Sequence, residues 1–234
     1  MTKGKQKYYI VNKVDGQTAE ILIYGDIFPY EGCVRASDFV ADLMRLAKTC
    51  TLIKVRINSN GGDVFEGIAI FNAIRNCAVD CYTYIDGIAA SMGSVIAMAG
   101  KKVFMSKYAR LMAHKPSGGA WGNADELRRV ADEIDDVEQI LSDVYVSKTG
   151  LSKKQVGDQL LNGTDVYLNA AQAKKLKLVD DIYDGDQIDV PETITDLRDM
   201  VNIYHGHFAH KMESFDYAQD DNAGNNNENF LIVI

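Results

Sequence analysis

No run of Lys and Arg occurs anywhere in the chain, and its formal net charge is −8 at pH 7, so a nucleic-acid surface has nothing to build on. No apolar stretch approaches the length of a membrane span. Met1 to Lys7 is charged and runs into Tyr8-Tyr9-Ile10-Val11 without an apolar leader region or a cleavage site, so no secretory signal is expected. Cysteine is scarce: Cys33, Cys50, Cys77 and Cys81 have no metal-like spacing and fall in apolar surroundings. Reduced core thiols in a reducing cytosol are the expectation, and with them a soluble, cytoplasmic protein. Histidine is equally sparse. Three of the four, His205, His207 and His210, lie near the end of the chain, and His205-Gly206-His207 lacks the carboxylate or thiol framework of a metal site. What is present is ordinary globular material, 47% hydrophobic and 25% charged over 234 residues, enough for one domain with a sizeable core and something left over.

The apolar periodicity alternates in type. Tyr8 to Val14 and Ala19 to Ile27 read as strands joined by a turn at Asp15-Gly16-Gln17. Ser37 caps a predicted helix with Phe39, Leu43 and Leu46 on one face. Leu52 to Ile57 is a strand that ends in Asn58-Ser59-Asn60-Gly61-Gly62-Asp63, opening a helix over Val64 to Asn76. Val79 to Ile85 is a strand closing on Gly87, Val103 to Ser106 and Arg110 to His114 are short strands, and glycines dominate residues 115–122. Asn123 opens the longest helix, with Glu126 completing a capping box. Its stripe of Leu127, Val130, Ile134, Val137, Leu141, Val144 and Tyr145 exceeds what one domain edge needs, which suggests a partner subunit. Ser152 to Leu161 is helical, Val166 to Leu168 extended, and Asn169 caps a helix to Leu176. Strand, helix, strand, helix implies βαβ units and a mostly parallel α/β sheet. Residues 1–183 form the domain; 184–234 are acidic and Asn-rich and read as a poorly ordered tail. The closing Phe230-Leu231-Ile232-Val233-Ile234 is apolar: a docking peptide, a strand added to an edge, or a terminus with no role.

The chain is organised around Asp86 to Gly100, which places Ser91 between an apolar strand and a helix of small and apolar residues. A helix buried all round needs acceptors for its first N–H groups, so Ser91 is either a plain N-cap or a nucleophile beside free N–H groups. His114 ends the apolar strand Leu111-Met112-Ala113 and precedes Lys115-Pro116, which turns the chain away at the sheet edge where parallel folds place their sites. Gly61-Gly62 stands at the corresponding end of an earlier strand, a strand-to-helix turn or a place where backbone N–H groups face a substrate. No Lys-Ser or Lys-Thr follows, which excludes a phosphate loop. Ala89 replaces the first glycine of the Gly-x-Ser-x-Gly elbow of α/β-hydrolases.

Three phrases in order, Asn58 to Asp63, Gly87-Ile88-Ala89-Ala90-Ser91-Met92-Gly93 and Leu111-Met112-Ala113-His114-Lys115-Pro116, resemble the ClpP family of serine peptidases over Ala19 to Asp181. That resemblance implies the ClpP/crotonase-like fold, with Ser91 as nucleophile and His114 as general base. It implies backbone N–H groups of Gly62 and Met92 as the oxyanion hole. It points to Asp165, in Asp165-Val166-Tyr167-Leu168-Asn169-Ala170, as the third member, where residue type alone leaves Asp86, Asp180 and Asp181 as competitors. Ser94 is the competing serine, inside the helix where its hydroxyl more often bonds the backbone.

The same resemblance implies a glycine-rich strand at Gly118, Gly119 and Ala120 that pairs substrate backbone. It also implies a ring-to-ring contact through the long helix, in a homo-oligomeric ring (hexamer, heptamer or stacked rings). No metal or bound cofactor is expected, and protein or peptide substrates are. Asn60, where the housekeeping peptidase usually has proline, together with Arg56 to Val64, Ser94 to Gly100 and Gly118 to Ala124, looks more like the head-maturation proteases of tailed phages, which trim capsid and scaffold proteins. The alternatives are a housekeeping-like subunit served by an AAA+ ATPase, an inactive scaffold subunit, and acyl-CoA chemistry of the crotonase kind, which needs no Ser-His-Asp set.

Overall fold

The alternation of strand and helix periods builds an α/β sheet, seen in a computed structural model that describes residues 10–13, 17–184 and 232–233. In chain order the elements are β1 (Ile10–Lys13), β2 (Thr18–Tyr24), α1 (Ala36–Leu46), β3 (Leu52–Ser59), α2 (Val64–Arg75), β4 (Asp80–Ala90), α3 (Met92–Ala97), β5 (Lys102–Ser106) and β6 (Arg110–Ala113). There follow β7 (Ser117–Gly118), α4 (Ala124–Thr149), α5 (Lys153–Gln159), β8 (Val166–Asn169), α6 (Ala170–Lys175), β9 (Asp181–Tyr183) and β10 (Ile232–Val233). Among the described residues, eight strands form one sheet in the order β1-β2-β3-β4-β5-β9, with β6 joined to β4 and β8 to β6. Neighbours are parallel except β1–β2 and β6–β8. The His205 to His210 segment and the acidic, Asn-rich stretch from residue 185 to 231 lie outside the described residues.

The helices cover the sheet with the residues their periodicity assigns. Phe39 and Leu43 of α1, Ile70 and Ile74 of α2, and Val95 and Ile96 of α3 are all buried, each removing about 1.5–3 kcal/mol worth of apolar surface from water. α3 is buried at every position, as its small and apolar composition requires. In α4 the described stripe is narrower than the sequence pattern. Val130, Val137, Leu141 and Tyr145 are buried, whereas Leu127 and Ile140 stay open to solvent.

Two boundaries differ from expectation. α1 starts after Arg35, not Ser37, and Arg35 supplies no side-chain cap. The first turn is satisfied instead from outside: Glu66 Oε2 on α2 accepts the Ala36 N–H at 2.5 Å. A carboxylate from another helix thereby does what a local serine was expected to do. β4 does not close on Gly87 but continues to Ala90. Its first half pairs with β5 through Tyr82–Ile85 and its second half with β6 through Ile88–Ala90. Between the halves the register with β3 slips, from Ile57 opposite Ile85 to Ser59 opposite Ala89. The slip is a bulge, and it redirects the strand end that carries Ser91. Asn58 Oδ1 props it open by accepting the Ile88 N–H at 3.2 Å, and a side chain at Gly87 would sit 2.5 Å from that oxygen.

Below the bulge lies a charged clamp. Asp86 accepts two bonds from Arg56, at 2.8 and 2.6 Å, and one from the Tyr24 hydroxyl at 2.6 Å. Tyr183 on β9 donates its hydroxyl to Asp86 as well. Arg56 is 3% exposed at the side chain and Asp86 12%, so both charges are largely withdrawn from water and depend on one another. Burial and the Asp86 carboxylate push both tyrosine hydroxyls well above their ordinary pKa. Removing one partner leaves the other uncompensated. Arg56→Met is expected to lower unfolding free energy by about 3–5 kcal/mol in urea titration, and an unchanged midpoint would show that the clamp is not structural.

Candidate active site

The ladders on either side of β6 decide what meets at its end. β6 runs parallel to β4 with Met112 opposite Ala90, so Ser91 emerges beside the residues that follow Met112. The Ser91 N–H donates to the Met112 carbonyl at 2.9 Å and fixes that approach. On the other side β6 runs antiparallel to β8 with Ala113 opposite Val166. One step further along the same register brings His114 opposite Asp165. Ser91 Oγ lies 3.0 Å from His114 Nε2, and His114 Nδ1 lies 2.9 Å from Asp165 Oδ1. With its proton on Nδ1, the imidazole donates to the carboxylate and accepts from the hydroxyl, so one tautomer satisfies both contacts.

Of the two readings of Ser91, the plain cap is not what the chain forms. Ser91 is the N-cap residue of α3, yet its side chain makes no cap hydrogen bond. Its oxygen is turned to His114 instead. The backbone there has φ 57° and ψ −127°, a conformation that a non-glycine residue holds only when its surroundings impose it. Ser91 itself is 3% exposed.

The Asn58 to Asp63 phrase packs against this turn residue by residue. Ser59 Oγ accepts the Gly61 N–H at 3.1 Å, the Ile27 N–H donates to the Gly61 carbonyl at 2.9 Å, and the Asp63 N–H donates to the Ile27 carbonyl at 2.7 Å. Asp63 then caps α2 by accepting from the Glu66 N–H at 2.8 Å. Gly61 has φ +97°, and a Cβ there would fall 2.7 Å from the Ser91 Cβ and 2.8 Å from the Met92 nitrogen. Gly62 has φ +146°, and a Cβ there would fall 2.0 Å from the Ile27 carbonyl oxygen. Both positions exclude side chains by conformation and by space. Among the described residues, the N–H groups of Gly62 and Met92 make no hydrogen bond. Both therefore remain unengaged donors in the turns that flank Ser91.

The competitors are engaged elsewhere. Asp86 belongs to the Arg56 clamp. Asp180 accepts from the Val103 N–H and Lys148 Nζ, each at 2.7 Å, and Asp181 accepts from Lys174 Nζ at 2.7 Å. Ser94 donates to the Ser91 carbonyl at 2.7 Å and sits 2.7 Å from the Tyr145 hydroxyl. A carbonyl can only accept, so the Ser94 proton goes to Ser91 and Tyr145 donates to Ser94. This chain from α4 to the backbone of Ser91 escaped the sequence reading, which counted Tyr145 only as part of an apolar stripe. The glycine-rich segment forms a strand at Ser117–Gly118; Gly119 and Ala120 follow it in irregular backbone. Lys115 Nζ reaches Glu138 on α4 at 2.8 Å and ties down the loop after His114.

No group of three or more His, Cys, Asp and Glu side chains is placed to hold a metal among the described residues. Nor is any described helix long and apolar enough to cross a membrane. The four cysteines form no disulfide; Cys50 and Cys81 are buried and Cys33 and Cys77 half-buried. Burial and Asp26 push the Cys33 thiol up to about 11, which makes it inert at neutral pH.

The family model for Clp protease matches residues 3–186. The chain belongs to the Clp protease family. A solved structure of a ClpP1 mutant from Listeria monocytogenes superposes with a TM-score of 0.63 at 27% sequence identity, covering 71% of this chain and 91% of that one. The Clp proteases are serine peptidases of mostly parallel α/β fold, and the sheet described above is that fold.

Two outcomes test the geometry. Ser91→Gly is expected to be more stable than Ser91→Ala by about 1 kcal/mol, because glycine holds φ 57° without strain; equal midpoints in denaturant would mean that no strain is stored. Burial pushes the Tyr145 hydroxyl from 10.0 up to about 12. The folded state therefore keeps a proton that the unfolded chain loses, and stability drops as pH rises from about 10 towards 12. In Tyr145→Phe that part of the alkaline loss disappears, at a cost of about 1 kcal/mol at neutral pH for the lost hydrogen bond.

Proposed function

We propose that the chain is a serine endopeptidase that cleaves peptide bonds through Ser91, His114 and Asp165, with the Gly62 and Met92 N–H groups as its oxyanion hole. The observation that carries this reading is the turn of Ser91 Oγ away from the helix it precedes and onto His114 Nε2 at 3.0 Å. Serine attacks a carbonyl only when a base takes its proton, and His114 is placed to do so. As the proton reaches Nε2 the ring becomes cationic, and Asp165 at 2.9 Å holds its orientation and stabilises that charge. The carbonyl oxygen turns negative as the tetrahedral intermediate forms, and the two unoccupied N–H groups are fixed donors for it. His114 then returns the proton to the leaving amine, and water repeats the sequence on the acyl-enzyme. Nothing in this route calls for a metal or cofactor.

The finer assignment is a head-maturation protease of a phage or prophage, acting on capsid or scaffold proteins. Asn60 in the Asn58 to Asp63 phrase and the Gly118 to Ala124 phrase favour it. A homo-oligomeric ring fits the family and the solvent-facing Leu127 and Ile140 of α4. If an AAA+ ATPase stimulates casein degradation, the housekeeping alternative replaces the maturation role.

The deciding experiment is intact-mass spectrometry after fluorophosphonate treatment, on wild type beside Ser91→Ala and Ser94→Ala. One adduct, missing only from Ser91→Ala, is expected; no adduct on assembled wild type would bring the inactive scaffold reading forward. Asp165→Asn is expected to lower kcat by on the order of 10⁴-fold with the fold intact, since the imidazole then takes the wrong tautomer.

A further inference from the structure

Two buried hydroxyls take no part in the proposed reaction, yet both stand in line with the nucleophile. Ser94 lies about one helical turn after Ser91, so its side chain reaches back to the Ser91 carbonyl and donates to it at 2.7 Å. That carbonyl already accepts the Ser94 N–H at 2.9 Å and the Val95 N–H at 3.3 Å, the ordinary bonds of a helix start. The hydroxyl is a third donor, beyond what the helix requires. Behind it the Tyr145 hydroxyl donates to Ser94 Oγ at 2.7 Å, the one hydrogen bond that hydroxyl makes among the described residues. Ser94 is 0% exposed and Tyr145 1%, so bulk water does not compete for either group.

The backbone of Ser91 gives the third donor a task. It stands at φ 57° and ψ −127°, a conformation that a non-glycine residue leaves if released. The bond from the Ser91 N–H to Met112 holds one peptide plane and limits φ; the bonds to its carbonyl hold the next plane and limit ψ. With both planes held, the direction of Oγ depends on one torsion, and His114 Nε2 at 3.0 Å takes it. A hydroxyl that itself accepts a bond is the stronger donor, so Tyr145 tightens the Ser94 bond without touching Ser91. We propose that Ser94 and Tyr145 are positioning residues for the nucleophile, with Tyr145 acting only through Ser94. Their loss slows bond formation at Ser91 Oγ without weakening the binding that precedes it. The proposal rests on the peptidase reading of Ser91.

The test is the rate at which a fluorophosphonate labels Ser91 in the full chain. In that step the Oγ–P bond forms, fluoride leaves and the hydroxyl proton passes to His114. Varying the reagent concentration separates the maximal rate from the half-saturating concentration. Ser94→Ala is expected to lower the maximal rate about tenfold and Tyr145→Phe about threefold, with half-saturation unchanged. Adding Tyr145→Phe to Ser94→Ala should leave the rate where Ser94→Ala put it. Stability should move differently. Ser94→Ala strands the buried Tyr145 hydroxyl without an acceptor, and Tyr145→Phe removes that orphan, so the double variant should melt at a higher temperature than Ser94→Ala. A merely structural pair would label in step with its stability. The double variant, which has no stranded hydroxyl, carries the comparison with wild type if Ser94→Ala fails to fold. Recovery of the rate in the double variant, or wild-type rates in the single variants, would overturn the proposal. A wild type that never labels at Ser91 would overturn the peptidase reading and this proposal with it; a labelled wild type matched by its variants overturns this proposal alone.

Discussion

The register of β6 between two neighbours is the constraint on which the site depends. Parallel pairing with β4 delivers Ser91, and antiparallel pairing with β8 delivers Asp165, both to the residue that follows Ala113. A slip of one residue on either side would turn the side chains to opposite faces and separate the three groups. The position of His114 is set chiefly by two ladders, with Lys115 pinned to Glu138 just after it. The bulge in β4 is what makes room for this arrangement, because the strand must leave β5 before it can meet β6. Asn58 above and the Arg56–Asp86 clamp below hold the bulge from both sides.

A second layer of support works on the backbone of Ser91. Its N–H goes to Met112, its carbonyl receives Ser94, and Gly61 presses against its Cβ position. With three fixed points the residue keeps a conformation that it would leave if free. The hydroxyl is consequently aimed by the fold and needs no help from the helix it precedes. Tyr145, buried on α4, extends the same support to the longest helix of the chain.

Much of this could be read in the sequence, for identifiable reasons. Strand and helix order follows from periods of two and 3.6, which survive in any context. Ser91, His114 and Asp165 lie in recognisable phrases at strand ends, and the structure gathers them within hydrogen-bonding reach. Where the reading went astray, a distant residue had taken over a local task. Glu66 substitutes for the expected Ser37 cap, and the side chain of Asn58 occupies the space that makes Gly87 a strand residue and not an end. The clamp around Asp86 joins residues from β2, β3, β4 and β9, and no spacing along the chain reveals such a set.

Asp165 differs from its two companions in one respect. Its side chain is 54% exposed, against 23% for His114 and 3% for the whole of Ser91. The contact that steadies the imidazole thus sits in a medium close to water, where two unit charges about 4 Å apart attract by only about 1 kcal/mol. The serine end lies where charges interact several times more strongly. Withdrawing water from Asp165 would strengthen the hold of the carboxylate on the ring without moving an atom of either. In the proposed triad, the carboxylate end is thus the one whose strength depends most on its surroundings.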